Sequence, residues 1–390
     1  MIVRSIRPEE FEEALDLLDA AFEHTPRAYF NRYFFGDPWF KPEYTRVVEE
    51  DGRLVSLVQI VRREVRVGCS TLVMGGIANV GTIPAYRGRG FSSAAMKSSV
   101  EVMAADGMHF GMLWTGINLF YERLGWATVR LTASTAKLKR RLPRFSTPYH
   151  VRAYRDDDAP AVLAIYDEFN SRRSLTTVRT LDYWRGFATS PESQSYTIWA
   201  AETGGQLAAY LAGRRYGESY GTGEMCCSRG HEDALRALAR EAWAAAARAG
   251  AKKLAYVLPE EDSIRAAVSE VAVPARPWTY TNMMLRVIDL RLMFERMLPE
   301  LERRSSLLER AGRVAIGTEF GELPLEVAPG RVTLPDVPAD WRVELSQPQL
   351  FSLVFGLGEP TDILPAGPAA DLLSSIFPRQ PAVYYEIDTF

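Results

Sequence analysis

The stretch RGRGFS at residues 87–92 separates two patterns and decides the fold expected for this part of the chain. Before it lies a run of 20 uncharged residues, 67–86, in which apolar side chains sit among glycines, as in two strands joined by a turn. After it, apolar and small residues recur at helical spacing from Phe91 until Gly107, where a helix would stop. The sequence therefore predicts strands, a glycine-rich turn and a helix in succession.

A turn of this kind is typical of an anion-binding site. The first backbone N–H groups of a helix have no partner within the helix, and they lie at its positive end. Gly88, Gly90 and Ser92 are small enough to let phosphates reach the main chain, and Arg87 and Arg89 can add charge-assisted hydrogen bonds. The spacing is neither that of a P-loop nor that of a Rossmann fingerprint. We expect a pyrophosphate site, with a tight turn carrying two solvated arginines as the alternative.

The length and composition are those of an ordinary multidomain protein. With 390 residues, the chain exceeds what one hydrophobic core usually supports, so two or three domains are expected. A net charge of −3 gives no general attraction to nucleic acid. The first residues carry charge from Arg4 onward without an apolar leader, and the uncharged run is too polar to span a membrane. We therefore expect a cytoplasmic protein without a nucleic-acid or membrane partner.

Cysteine and histidine provide no framework for a metal or for disulfides. The chain has 3 cysteines, two of them adjacent, and 4 scattered histidines, which suit neither a zinc site nor paired bridges. No metal is therefore expected. A short basic run from Lys137 to Arg144 is interpreted as a solvated strand edge, with a phosphate-binding patch as the alternative.

The opening pattern of the chain returns later. Residues 3–10, a strand followed by an acidic helix start, are echoed by residues 151–158, which indicates a structural duplication, with convergence as the alternative. In the second copy Glu232 and Asp233 stand where the phosphate turn would recur, and their carboxylates would repel a pyrophosphate. Only the first copy is therefore expected to bind a cofactor. After Asp289, short alternating runs and helical pieces predict a small α+β unit.

A second chemical cue follows the next predicted strand. Residues 118–126, NLFYERLGW, have the pattern of a short helix ending at glycine. Together with the strand at residues 80–82 and the RGRGFS turn, this segment resembles the acetyl-CoA-binding core of the GNAT superfamily of N-acetyltransferases. The full layout, two such units followed by a small sterol-carrier-like unit and a chain end at Phe390, resembles the Eis family of aminoglycoside N-acetyltransferases.

The resemblance implies an α+β fold with tandem GNAT-like domains. An acetyl-CoA-binding domain would span residues 1–147, a second GNAT-like domain without the cofactor motif residues 148–288, and a sterol-carrier-like α+β domain residues 289–390. A homo-oligomer, with a hexamer as the family's arrangement, is also implied. The family's cofactor contacts fall on Val80, Gly81, Thr82, Arg87, Gly88, Arg89, Gly90, Phe91, Ser92, Ser93, Gly116 and Ile117, with Ser92 replacing the usual glycine or alanine.

The same resemblance gives Tyr121 the role of general acid and the α-carboxylate of Phe390 that of base. A tyrosine of pKa roughly 10 can protonate a departing thiolate whose thiol has a pKa of roughly 8.5. A carboxylate of pKa roughly 3.5 is a weak base for an ammonium, so we expect Phe390 to orient the cation and to relay its proton through water. An ordinary core tyrosine and a frayed chain end are the alternatives.

The acceptor pocket is defined less well by the sequence. Phe35 and Trp39 belong to a ring-rich segment that lines the acceptor site in GNAT folds, and a partly buried helical hairpin packed on the core is the alternative, which any single ring favours. Asp37, Glu386 and Asp388 would make the site acidic, which suits a polyamine. We therefore expect an acetyl-CoA-dependent N-acetyltransferase acting on an aminoglycoside-like polycation or on lysine. A non-enzymatic carrier of an apolar ligand and a peptide N-terminal acetyltransferase remain alternatives.

Overall fold

A computed structural model describes residues 1–190, 196–273 and 276–390 of the chain, and it confirms the mixed α+β fold class. In the first part the strands are β1 (Ile2–Ser5), β2 (Thr45–Glu50), β3 (Arg53–Val67), β4 (Ser70–Thr82), β5 (Phe110–Trp114) and β6 (Ala127–Lys137). The helices are α1 (Phe11–Ala21), α2 (Arg27–Asn31), α3 (Phe91–Ala105) and α4 (Asn118–Glu122).

The middle of the chain repeats this order of elements with one additional strand, β8, between its first two helices. Its strands are β7 (His150–Ala153), β8 (Ser174–Thr177), β9 (Thr197–Thr203), β10 (Gln206–Tyr216), β11 (Ser219–Cys227), β12 (Lys253–Tyr256) and β13 (Arg276–Val287). Its helices are α5 (Ala159–Asn170), α6 (Leu181–Tyr183), α7 (Asp233–Arg248) and α8 (Asp262–Val271).

The two similar sequence segments, residues 3–10 and 151–158, also make the same hydrogen bonds. Arg4 on β1 holds the carboxylate of Glu10 with both terminal nitrogens, at 2.8 and 2.7 Å. Arg152 on β7 holds Asp158 in the same way, at 2.7 and 2.8 Å. In each copy the acid at the helix start also accepts a hydrogen bond from a main-chain amide three residues earlier. Both units therefore begin with the same arginine–carboxylate pair between the first strand and the start of the first helix.

The two units exchange their last strands. Among the described residues they share one sheet of 13 strands, in the order β1-β2-β3-β4-β5-β13-β6-β12-β11-β10-β9-β7, with β8 paired to β3. The last strand of the second unit, β13, pairs antiparallel with β5 of the first unit, and β6 of the first unit pairs antiparallel with β12 of the second. Each unit's sheet is thus completed by the other unit.

The glycine-rich run before the phosphate turn forms one strand, not two. We expected a strand, a turn and a strand, but β4 continues through Gly75 and Gly76. The reason is packing, because a Cβ at Gly75 would overlap Met103 of α3 and one at Gly76 would overlap the ring of Phe390. The glycines therefore admit neighbouring side chains on both faces of the strand.

The end of the chain forms a smaller α+β unit. Its sheet has the order β16-β15-β14-β17, built from β14 (Gly312–Thr318), β15 (Gly321–Ala328), β16 (Arg331–Thr333) and β17 (Trp341–Glu344). Its helices are α9 (Leu290–Ser305), α10 (Gln347–Phe355), α11 (Pro360–Ile363) and α12 (Pro368–Ile376). After α12 the chain returns to the junction of the first two units, where the amide of Val383 donates to the carbonyl of Ser174 on β8. No helix in the described ranges is long and apolar enough to cross a membrane.

Candidate active site

The RGRGFS turn lies between β4 and α3, as the sequence predicts. No described residue accepts a hydrogen bond from the main-chain amides of residues 88–93. Gly90, at the N-terminus of α3, has a φ of 84° and Gly88 a φ of 79°, both in the left-handed region that glycine favours. A Cβ at either position would enter open space, so the turn is accessible from outside. Unpaired amides at the positive end of a helix of 15 residues can hold an anion.

The side chains around the turn stabilise it through hydrogen bonds. The hydroxyls of Ser92 and Thr82 lie 2.7 Å apart, and Thr82 in turn lies 2.8 Å from Ser56 on β3. The guanidinium of Arg87 donates to the carbonyls of Thr82 and Ala21, at 3.2 and 3.0 Å. Arg87 therefore braces the turn with two of its five N–H donors. Arg89 is exposed and packs over the ring of Tyr86.

A gap opens beside the turn because β4 and β5 separate. The two strands pair in parallel over residues 74–77 and 110–113, and β4 then continues to Thr82 without a partner on that side. The pairing of β4 with β3 is interrupted by a bulge, in which Asn79 and Val80 fall between paired residues. Asn79 has a φ of 50°, and its amide nitrogen donates to Gln59 at 2.5 Å. We call the space between the separating strands, beside this bulge, the slot; it lies next to the phosphate turn, since Thr82 at the end of β4 contacts Ser92.

Tyr121 lies on α4, directly after β5. Its side chain packs in the apolar cluster on the α3 face of the sheet and is only 7% exposed. Burial raises the pKa of Tyr121 to about 12. Its hydroxyl has no hydrogen-bond partner among the described residues. The phenol is therefore held protonated at neutral pH, with its proton available to a ligand.

The loop between β5 and α4 contains the remaining expected cofactor contacts. Gly116 is open, and a Cβ there would meet nothing. The amide of Ile117, in contrast, already donates to the hydroxyl of Thr115 at 3.0 Å. Its side chain is exposed, as is that of Leu119. Gly116 is thus the more accessible of the two predicted contacts.

The chain end is tucked into the sheet. The ring of Phe390 lies against Gly76 on β4, on the face opposite Met103 and α3. It also makes an edge contact with Tyr384, with ring centroids 6.5 Å apart. Since Gly76 immediately precedes the point where β4 and β5 separate, the chain end and the slot are neighbours.

A buried charge network holds the tail that carries Phe390. Arg179, which follows β8, donates to both carboxylate oxygens of Asp388, at 2.9 and 2.8 Å, and to both oxygens of Glu224 on β11. Tyr183 donates to Asp388 at 3.0 Å, and Tyr210 donates to Glu224. Burial raises the pKa of Glu224, while Arg179 opposes that effect. The network fixes the tail two residues before its end.

A cavity of about 400 Å³ lies beside the chain end. Its polar lining includes Glu386, Asn282 and Thr389. Of the predicted substrate residues, Glu386 lines this cavity, whereas Phe35, Asp37 and Trp39 do not. Most of the aromatic residues that line this cavity are not predicted from the sequence. The WTY motif at residues 278–280 and the YY pair at residues 384–385 are the sequence features that could have indicated them. The rings are Trp114, Tyr216, Tyr256, Trp278, Tyr280, Tyr384 and Phe390.

The three other predicted acceptor residues lie away from this cavity. Phe35 is 64% exposed and contacts the rings of Phe11 and Phe34 within the first unit. Trp39 packs against Tyr183 of the second unit. The carboxylate of Asp37 accepts from Arg63 at 2.8 Å in a buried ion pair, and Arg63 also packs over the ring of Tyr183. Asp37 and Trp39 therefore belong to the junction of the two units, whereas Phe35 does not.

The carboxylates expected to make the site acidic are each paired with arginine. Asp37 pairs with Arg63, Asp388 with Arg179, and Glu386 with Arg214 at 2.6 Å. Arg32, which is buried, adds a further cation 3.5 Å from the carbonyl of Thr389. Burial also raises the pKa of Glu386. The side chains around the tail therefore balance four cations against four acids: Arg32, Arg63, Arg179 and Arg214 against Asp37, Glu224, Asp388 and Glu386.

The corresponding turn of the second unit is closed by its own side chain. The amide of Gly230 donates to the carboxylate of Glu232 at 3.1 Å. The amide of His231 donates to the carbonyl of Ser228, also at 3.1 Å. An anion would therefore have to displace a carboxylate from this turn. Within the described ranges, no three His, Cys, Asp or Glu side chains form a group able to hold a metal ion.

Comparison with known proteins agrees with this geometry. Residues 2–129 match the sequence model of an acetyltransferase (GNAT) domain. That range contains β1 through β5, the phosphate turn and α4, so the first unit is an acyltransferase domain of the GNAT class. No curated protein matches the chain significantly.

Solved structures share the layout of the whole chain. A conserved Enterococcus faecalis protein of unknown function, described as a probable N-acyltransferase, has a TM-score of 0.72 at 16% identity, with 100% of this chain and 99% of that chain covered. A GCN5-related N-acetyltransferase from Anabaena variabilis has a TM-score of 0.72 at 16% identity, with 100% of both chains covered. Eis1 from Mycobacterium abscessus has a TM-score of 0.64 at 13% identity, again with 100% of both chains covered. These likenesses show the tandem fold.

Proposed function

We propose that the protein transfers the acetyl group of acetyl-CoA to an amine, with Tyr121 as general acid and the α-carboxylate of Phe390 as base or proton relay. The observation that carries the proposal is the set of main-chain amides at residues 88–93, at the start of α3, which have no hydrogen-bond partner among the described residues, beside the open positions of Gly88 and Gly90. Six consecutive amides of this kind, next to a slot between separating strands, suit a pyrophosphate with a long pantetheine arm. The closed turn of the second unit supports a single acetyl-CoA site per chain.

The slot would direct the thioester toward the chain end. Backbone groups at Val80 to Thr82 border the bulge, where an N–H without a cross-strand partner can polarise a carbonyl. Gly116 and Ile117 border the slot on the β5 side, although the Ile117 amide must first leave Thr115. Accordingly, we assign the main cofactor contacts to residues 88–93 and to the bulge.

The raised pKa of Tyr121 is compatible with its role as an acid. A phenol of pKa about 12 is a weaker acid than a thiol in water, whose pKa is roughly 8.5. However, the leaving thiolate forms in the same desolvated region, and burial there makes it more basic. The difference in pKa between the Tyr121 phenol and the departing thiol is therefore smaller there than the value for a thiol in water suggests.

The ring of Phe390 lies on the other face of the sheet from the ring of Tyr121. An amine entering on the Phe390 side would therefore approach the thioester from the face opposite the acid. The carboxylate of Phe390 attracts the ammonium form of the acceptor, accepts a proton from it and passes that proton to water. The resulting free amine can then attack the thioester carbonyl. The family resemblance supports the same division of roles, and the likeness to Eis1 supports the shared layout.

A charge swap in the turn tests the acetyl-CoA site. Gly88→Asp places a carboxylate beside the free amides, whereas Gly88→Asn has the same shape without the charge, and both residues tolerate the left-handed φ at this position. Calorimetry with CoA should show at least about a tenfold weaker affinity for the Asp variant than for the Asn variant. Failure of the wild-type protein to bind CoA, or equal affinities of both variants, would overturn the proposal. A protein that only carries an apolar ligand would fail to bind CoA.

The assembly state follows from the family resemblance alone. We propose a homo-oligomer, with a hexamer as the expected arrangement. Its molar mass can be measured by light scattering as the protein elutes from a size-exclusion column. A monomer at micromolar concentration would contradict it.

A further inference from the structure

Five aromatic rings from three separate segments form a continuous series, which we call the aromatic ladder. In order from the surface to the chain end, its members are Trp278, Tyr280, Trp114, Tyr384 and Phe390. Neighbouring ring centroids are 5.7, 6.1, 6.0 and 6.5 Å apart. These distances are those of interacting aromatic pairs. All five rings line the cavity beside the chain end, so the ladder forms its apolar wall.

The outer end of the ladder is ordered although it faces solvent. Trp278 is 51% exposed, yet its indole N–H donates to the hydroxyl of Thr135 on β6 at 3.2 Å. Tyr280 is two residues further along β13, on the same face of the strand, and lies nearly parallel to Trp114, with 20° between the rings. A ligand entering the cavity therefore meets ring faces that are already fixed in place.

The charges around the chain end do not match a polycation. Among the described residues, the charges of the four arginines and four acids named above sum to zero, although Arg179 holds two of the acids and Arg32 none, so these side chains supply no surplus of negative charge. Glu386, on the cavity wall, is shared with Arg214. Together with the chain end, it provides carboxylate charge for one ammonium group. Aromatic faces attract an ammonium without any net charge, which adds to binding of a single cation.

Resting on the proposed acetyl transfer, we propose that the acceptor is a small primary amine carried on an aromatic ring, an arylalkylamine. Its ring would pack against Trp278, Tyr280 and Trp114, and its ammonium would lie toward Glu386 and the chain end. Such a molecule matches the apolar wall with its body and the few acidic groups with its one charge. An aminoglycoside would bring many hydroxyls and several ammonium groups to a wall that is mainly aromatic.

Binding and turnover should be measured separately, with 2-phenylethylamine, hexylamine and spermidine as probes. Calorimetry on the CoA-loaded protein should give at least about tenfold tighter binding of 2-phenylethylamine than of either other amine. With acetyl-CoA, thiol release should follow the same order of kcat/KM. Tighter binding or faster acetylation of spermidine or hexylamine would overturn the inference while leaving acetyl transfer intact. Selective binding of the arylalkylamine without any acetylation would instead overturn the proposed function.

Variants of the ladder separate a ring contact from a general loss of the site. Trp278→Ala should abolish the preference for 2-phenylethylamine over hexylamine, and Trp278→Phe should retain most of it. Because Trp278 is half-exposed, either variant should fold, and CoA affinity should not change. Leu307→Ala, which removes an exposed apolar side chain outside the cavity, is the matched control. An unchanged preference in Trp278→Ala would contradict the role of the ladder.

Glu386→Gln tests the charged end of the cavity. It should weaken 2-phenylethylamine and hexylamine binding by the same factor, since both carry one ammonium. A loss confined to one of the two amines would contradict the proposed orientation.

Discussion

Arg179 and Asp388 form a fully buried, two-pronged ion pair that joins the second unit to the tail carrying the chain end. The arginine comes from the copy whose phosphate turn is closed, and the aspartate lies two residues before Phe390. A fully buried pair holds its geometry because either charge alone would be costly to bury. The second unit thus determines where the proposed catalytic carboxylate lies.

Replacing Asp388 by Asn should therefore affect both stability and turnover. Arg179 keeps Glu224 as its ion-pair partner, but the buried hydrogen bonds that Arg179 and Tyr183 donate to Asp388 are partly lost, which should lower the free energy of unfolding by about 1–3 kcal/mol. Loosening of the tail should lower kcat by about tenfold or more. CoA affinity should stay near that of the wild-type protein, because the phosphate turn lies elsewhere. Denaturant unfolding, steady-state kinetics and calorimetry measure the three quantities.

Asp371→Asn on α12 is the control, since its exposed carboxylate lies outside this network. Kinetics should be measured below the unfolding transition of the Asp388 variant. Normal kcat in a folded Asp388→Asn protein would show that the pair does not position the chain end.

Extension of the chain past Phe390 should abolish acetyl transfer. A Gly-Ser dipeptide at this end would move the carboxylate away from the ring of Phe390, which is held against Gly76. We expect CoA affinity to persist, because residues 88–93 are unaffected. The same dipeptide before Met1, which is exposed, is the matched control. An extended protein with normal turnover would remove the terminal carboxylate from the mechanism.

Tyr121→Phe should lower kcat by about 100-fold or more if the phenol protonates the leaving thiolate. The ring is retained, so packing in the cluster around α3 should be unaffected. Because burial raises the pKa of Tyr121 to about 12, its ionisation should produce no alkaline loss of activity below about pH 11. Tyr44→Phe is a suitable control, since Tyr44 belongs to the same cluster but donates to Asp106 at 2.6 Å. Equal kcat values for the two variants would return Tyr121 to a packing role.

Acid should destabilise the fold through His109. The imidazole is buried, its Nδ1 accepts from the amide of Val73 at 2.7 Å, and burial lowers its pKa to about 4, with Arg296 adding to the effect. Between pH about 6.5 and about 4 the unfolded chain binds a proton that the folded one does not, so stability falls as pH falls through this window. The full loss would be about 3 kcal/mol.

His109→Gln preserves an acceptor for Val73 and removes the titrating group. Urea unfolding at several pH values should therefore show a flatter dependence for this variant than for the wild-type protein between pH about 6.5 and about 4. His24→Gln, at an exposed site, should reproduce the wild-type curve. Identical curves for all three proteins would exclude His109 as a source of acid sensitivity.

The parts of the site that depend on neighbouring residues could be predicted from the sequence. The phosphate turn follows from Gly88 and Gly90 placed before a helical pattern, and both adopt the left-handed φ that this turn needs. The helix was expected up to Gly107 and extends from Phe91 to Ala105. The paired starts of the two units were visible because Arg4 and Glu10, and their counterparts, are close in sequence.

Features that depend on distant residues could not be predicted in this way. Asp37 was expected in an acidic acceptor site, but Arg63 lies in the same packed junction and pairs with it. The expected phosphate contact of Arg87 stays a prediction, but its hydrogen bonds to the carbonyls of Ala21 and Thr82 could not be foreseen from the local pattern. The aromatic ladder combines rings from β5, β13 and the tail, and no local pattern records which of them meet.

Through the exchange of β6 and β13, the second unit contributes to the first although its own phosphate turn is closed. Without β13 the β5 edge would be bare, and the cavity beside the chain end would lose Trp278 and Tyr280. Deleting the second unit would therefore remove part of the proposed acceptor site. A substitution that unfolds the second unit should accordingly impair acceptor binding at the first, even though the second unit's own turn is closed by Glu232.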